Sequence, residues 1–156
     1  MRNKIILASL AGAAASLLVS GAQATTSTTN MNVSIQITAG CNISVTNINF
    51  GSMPATNLTS AQTSTAAMGG LFTYTCSPGS NTPALTAGQG NNFLTSTNRM
   101  KGAVNAGFIP YSLNLPSIAT FTGVAQTAQI TATIPAQAAL PAVDTYTDTV
   151  VLTLTY

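Results

Sequence analysis

An all-β antiparallel sandwich is the fold class this sequence predicts, on three observations. Apolar residues recur at every second position in several short stretches, the period of a strand with one buried face. Thr and Val, which suit half-buried pleated surfaces, are frequent, while Asn, Gly, Ser and Pro punctuate the gaps between stretches. Charged helix formers are scarce, with Asp, Glu, Lys and Arg together only 4% of 156 residues, and no stretch reads as a convincing helix. Short strands separated by turn signals, with no helices to cover a parallel sheet, read as a sandwich of one domain.

The elements follow in chain order. Arg2 and Lys4 precede an apolar run over residues 5–19, and Ala22-Gln23-Ala24 supplies a small-x-small site. This is the pattern of a cleaved signal peptide, 1–24. The run falls short of the ~20 apolar residues that span a bilayer. The mature chain is thus expected to begin near Thr25, exported, with no stable membrane insertion. Met31, Val33, Ile35 and Ile37 then alternate with polar residues. Ile43 and Val45 open another strand, and the phase changes before Ile48 and Phe50, which places a bulge or bend near Asn47. Phe72, Tyr74 and Cys76 share one face of a strand over 71–76. Ile109, Tyr111, Leu113 and Leu115 alternate between Pro110 and Pro116, and prolines suit an edge or a strand end. Ala128, Ile130, Ala132 and Ile134 form one strand stopped by Pro135, and Val150, Leu152, Leu154 and Tyr156 form the last.

Once the signal is removed, Arg99 and Lys101 balance Asp144 and Asp148, so the mature chain is formally neutral. Nucleic acid is excluded as a partner, because phosphate recognition needs clustered Lys and Arg. Near-zero net charge favours association, so a chain of this composition is expected to assemble. The two cysteines, Cys41 and Cys76, have one possible pairing, and a disulfide is the default in an exported protein. No C-x-x-C spacing or activating His accompanies them, which leaves a structural role.

Catalysis has no residues to work with. The chain contains no His, and its only carboxylates after the signal are Asp144 and Asp148. They lie four apart on one strand face, without a nucleophile–base partner, a metal-ligand cluster or a phosphate loop. Arg99 and Lys101 are read as solvated charges in a loop, and Gly88-Gln89-Gly90 as a turn with no Rossmann unit behind it. No enzyme, cofactor or metal is expected.

Four stretches carry a family resemblance. They are residues 32–38 leading into Ala39-Gly40-Cys41; Ile48-Asn49-Phe50-Gly51; Thr73-Tyr74-Thr75-Cys76; and the closing block 145–156, beginning Thr145-Tyr146-Thr147-Asp148-Thr149. In these the chain resembles the spore coat protein U domain family and, within it, subunits of archaic (Csu-type) chaperone–usher pili. One departure is Asp144, where the family often has Gly; Asp tolerates left-handed backbone better than most residues.

The resemblance implies an incomplete immunoglobulin-like sandwich over 40–156, completed by a donor strand from another molecule, with 25–39 as the donor extension. Met31, Val33, Ile35 and Ile37 would then be the donor residues, and Val150, Leu152, Leu154 and Tyr156 would line the acceptor groove. The implied partners are a periplasmic pilus chaperone, an outer-membrane usher and neighbouring subunits, and the implied location is a surface fibre reached through the periplasm. Two other readings share the fold: a secreted coat or matrix protein, and a carbohydrate- or surface-binding module using loops such as Phe108-Ile109-Pro110-Tyr111 or the Phe121 region.

Overall fold

The computed structural model describes residues 24–79 and 83–156. The predicted signal segment, but for Ala24, lies outside the described residues. The chain falls into a first unit ending at Gln36 and a second unit, Ile37–Tyr156. Residues 24–40 carry no strand. A strand exists only through a ladder with a partner, and the alternating segment forms none within this chain. Met31, Val33, Ile35 and Ile37 are 81–86% exposed.

The second unit holds ten strands among the described residues, and no α-helix: β1 (Cys41–Val45), β2 (Gln62–Thr63), β3 (Leu71–Cys76), β4 (Ala84–Ala87), β5 (Asn98–Gly102), β6 (Phe108–Asn114), β7 (Gln126–Gln129), β8 (Thr131–Ile134), β9 (Tyr146–Thr147) and β10 (Leu152–Thr155). Two 3-10 turns, Ala55–Thr59 and Ala66–Met68, lie between β1 and β3. All pairings are antiparallel, in sheets ordered β1-β3-β7, β2-β8-β6-β5-β9 and β10-β4. The expected disulfide is present: Cys41 and Cys76 face each other across the β1–β3 ladder and are bonded.

The strand predicted from Ala128 to Ile134 is divided between two sheets. The stretch 126–134 pairs first with β3, as β7, and then with β6 and β2, as β8. Ile130 sits at the crossing, donating its N–H to the Gly70 carbonyl at 2.9 Å. The closing block likewise gives β9 to the five-stranded sheet and β10 to the pair with β4. Pro110 also departs from expectation, because β6 is an inner strand. Proline is tolerated there because β6 pairs with β8 only from Ser112 onward, and at Pro110 it has β5 alone as neighbour.

Two apolar clusters form the core. One gathers Phe72, Tyr74, Cys76, Phe121, Ile130 and Leu154, with Cys41 and Leu152 packed against it. Phe72 stacks on Tyr74 at 5.7 Å between ring centres, and Tyr74 meets Phe121 edge-on at 6.0 Å, both within the range where aromatic pairs attract. The other gathers Leu58, Ile109, Tyr111 and Ile134, with Phe50, Met53, Met100, Tyr146 and Val150 partly buried against it.

Candidate functional site: an apolar groove between two strand edges

The second cluster, whose members Leu58, Ile109, Tyr111 and Ile134 are buried, borders an open groove. The groove, of about 1190 Å³, has residues 45–54 as one wall and residues 141–150 together with Leu152 as the other. Its floor is built from Ile109, Tyr111 and Leu113 of β6, Ala132 and Ile134 of β8, Ile130 and Met100. These floor residues alternate inward along their strands, which is why period two in the sequence marks them.

Each wall is bonded to the domain along its outer edge. On the first wall, Thr46 donates to the Leu71 carbonyl and accepts from Gly70, and Asn49 donates to Met68 at 2.7 Å. A regular strand would repeat these bonds every second residue. The step from 46 to 49 inserts one extra residue, and the bend this makes lies at Asn47–Ile48. On the second wall, the carbonyls of Thr149 and Val151 accept from Asn91 and Gly88. Strand alternation turns the backbone groups of Val150 and Leu152 the opposite way, toward the groove. The site therefore offers apolar side chains below and strand edges at both sides, the geometry that accepts an extended segment by β-augmentation.

The residues expected from the sequence to line a groove divide. Val150 and Leu152 lie on its wall. Leu154 is instead 8% exposed within the first core cluster, and Tyr156 is 42% exposed. Their alternation is real, but beyond Leu152 the strand runs under the first core and away from the groove. The wall 45–54 and Met100 were not anticipated as groove residues. Only the phase break before Ile48 hinted at the wall, and β5, with the sequence Asn-Arg-Met-Lys-Gly, has too little apolar alternation to be read as a strand.

The carboxylates of the groove and the tyrosine hydroxyl on its floor are paired. The Tyr111 hydroxyl donates to Asp148 Oδ2 at 2.7 Å, and Asn92 donates to Asp148 Oδ1 at 3.3 Å. Burial, and then the Asp148 carboxylate, push the Tyr111 hydroxyl well above the ordinary tyrosine range. Asp144, at the end of the wall, accepts N–H bonds from Asn105 (2.6 Å), Val104 (2.9 Å) and Thr145 (2.7 Å). The Asn105 bond foremost, against some desolvation, holds its carboxyl below the ordinary carboxylate range. Asp144 has no positive φ, so it serves here as an acceptor for backbone N–H groups and not as a residue suited to left-handed backbone. Arg99 is also not a solvated loop charge: it lies in β5, donates Nε to the Asn92 carbonyl at 3.0 Å, and sits 4.2 Å over the Phe108 ring. No cluster of three metal-ligating side chains occurs among the described residues.

The fold and groove define an all-β, immunoglobulin-like sandwich with an open apolar cleft flanked by strand edges. A family model of the Spore Coat Protein U domain matches residues 27–153. The chain belongs to this family, a structural pilus and coat family that is not one of enzymes and is tied to surface fibres. No curated protein matches the chain significantly. Among the described residues no helix is long and apolar enough to cross a membrane.

Proposed function

We propose that this chain is a structural subunit of an extracellular chaperone–usher fibre that polymerises by donor-strand exchange and supports surface attachment and biofilm formation. The observation that carries the reading is the combination, in one chain, of an unfilled apolar groove and an alternating segment whose four apolar side chains are more than four-fifths exposed. Exposed apolar area of this kind marks a binding surface. In this reading residues 25–39 of one copy enter the groove of the next. Met31, Val33, Ile35 and Ile37 seat on the floor, and their backbone pairs with the walls. Full burial of four such side chains contributes on the order of 6–12 kcal/mol as an upper bound, comparable with the stability of a whole domain. A periplasmic chaperone covers the groove before assembly and an outer-membrane usher receives the subunit.

The test is a pair of thermal melts. One variant lacks residues 1–39; the other lacks them but carries 25–39 after Tyr156 through a short linker. The self-complemented form is expected to melt far higher and remain monomeric, and Ile35→Asp within the grafted segment to remove most of that gain. Equal melting of the two forms would show that the domain is complete without a donor and would turn attention to a secreted surface-binding module.

A further inference from the structure

Val104 and Val143 are 89% and 95% exposed, yet neither lies on loose chain. The Asp144 carboxylate accepts the N–H groups of Val104, Asn105 and Thr145, and Asn105 Nδ2 donates to the Val143 carbonyl at 3.1 Å. Two loops are thus fastened together with an apolar side chain presented on each, and Val143 is part of the groove wall. Such a preorganised apolar pair at a groove's rim loses little entropy when covered.

The other end of the domain carries the exit of the N-terminal segment. Gly40 donates its N–H to Ser77 Oγ at 3.2 Å, and its carbonyl accepts from the Ser77 N–H at 2.9 Å. Cys41 is bonded to Cys76 immediately after it. This exit belongs to the first core cluster, as do Leu152 and Ile48 at the near end of the groove. At its Phe108 end β6 pairs with β5 where β5 meets Tyr146, three residues from Val143. At its Asn114 end β6 pairs with Thr131 beside Ile130, from which β3 runs on to Cys76, so exit and rim stand at opposite ends of the groove. Beside the exit, Gly123 approaches Pro78, with room for a Cβ 3.5 Å from the proline ring, and the next residue, Val124, is 64% exposed.

The linking chain is short. Residues 38–40 separate the last donor side chain, Ile37, from the fixed exit, and three extended residues span roughly 10 Å. A second copy that lends its segment must therefore bring its exit end against one mouth of the groove. If that mouth were the near end, the exit ends of three successive copies would crowd at one place. Entry from the rim end instead stacks exit on rim in a head-to-tail series that extends without closing.

Resting on the donor-strand reading above, we infer that Val104 and Val143 form a contact face for a second copy of this chain, seated on the Pro78–Val124 shoulder beside its exit. The mature chain, 25–156, is refolded from denaturant and polymer length is read by electron microscopy. Val143→Asp places an unpaired charge under the neighbour and is expected to shorten polymers about threefold. Mean polymer length follows the square root of the association constant, and a tenfold loss in that constant corresponds to about 1.4 kcal/mol per contact. Val124→Lys alone should shorten them too, and the two together should restore them, because the charges then face each other. The self-complemented domain carrying Val104→Lys, a rim substitution outside the groove lining, should melt as the unsubstituted one does, while the same substitution should shorten polymers of the mature chain. Polymers of ordinary length with Val143→Asp, or shortening that Val124→Lys leaves unrepaired, would overturn the contact while leaving the groove reading intact. A self-complemented domain that gains no stability would bring down the donor-strand reading, and this contact with it.

Discussion

The Asp144 carboxylate is the most densely bonded polar group of the wall, accepting three backbone N–H groups from two loops. Its pKa in the folded chain is lowered from 3.8, so the stability it contributes is present above the unfolded value. That contribution disappears as the pH falls through the folded one. Unfolding midpoints of the native chain and of Asp144→Ala, followed in urea from pH ~7 to pH ~2, should therefore differ at neutral pH and converge on acidification. Parallel curves would mean that the loops are held by something other than the charged carboxylate. Asp148 is placed differently: its two oxygens are taken up by Tyr111 and Asn92, which ties the groove wall to the floor. Four residues apart on one face, the two acids had the spacing of an acid–base pair in the sequence, but each is occupied with structural bonds.

At the scale of elements, the tightest turn is the one between Leu94 and Thr97, which bond each other's backbone in both directions at 3.0 Å. Its central residues, Thr95 (φ 49°) and Ser96 (φ 60°), both take left-handed backbone, the type I′ arrangement that strongly favours Asn-Gly. A β-branched residue in that region costs about 1–2 kcal/mol. Replacing the pair by Thr95→Asn with Ser96→Gly should raise chemical stability by at least about 1 kcal/mol, read as a shift in the denaturation midpoint with unchanged slope. No gain would mean that Thr97 and its neighbours relieve the strain. The sequence did not announce this turn, because neither central residue is of the usual type. What it did announce follows from one physical fact: alternation records which face is buried and is blind to which strand lies alongside. Phe72, Tyr74 and Cys76 could be read as an inward face because that depends on their own strand alone. The splitting of 126–134 and 145–156 between sheets could not, since inward parity persists through Ile130 and Val150 while the hydrogen-bonding partner changes. The same blindness explains the groove. Val150 and Leu152 were legible as inward-facing, but that they face a cleft while Leu154 faces packed core depends on what lies across from them.

At the scale of the whole molecule, the domain has an open groove along one core cluster and a staple at the end of the other. Closing the 41–76 loop removes unfolded-chain entropy worth about 4 kcal/mol, a sizeable share of the 5–15 kcal/mol typical of a domain. An unfilled groove lowers the same total, since the apolar side chains of its walls, Ile48, Phe50, Met53, Val150 and Leu152, stay partly exposed. Groove filling and disulfide should therefore substitute for each other in keeping the domain folded. Four proteins test this by circular dichroism: the 40–156 domain and its self-complemented form, each with and without Cys41→Ser and Cys76→Ser. The bare domain without its cysteines is expected to be largely unfolded at room temperature. The self-complemented domain without them should remain folded and melt at a lower temperature than its disulfide-bonded counterpart. Because the staple lies at the exit of the N-terminal segment and the groove at the opposite cluster, the two losses should be close to additive in free energy. If the bare domain survives without its cysteines as well as the complemented one does, the floor of the groove must be closed by the domain's own chain, and the cleft between residues 45–54 and 141–152 would not be waiting for a strand.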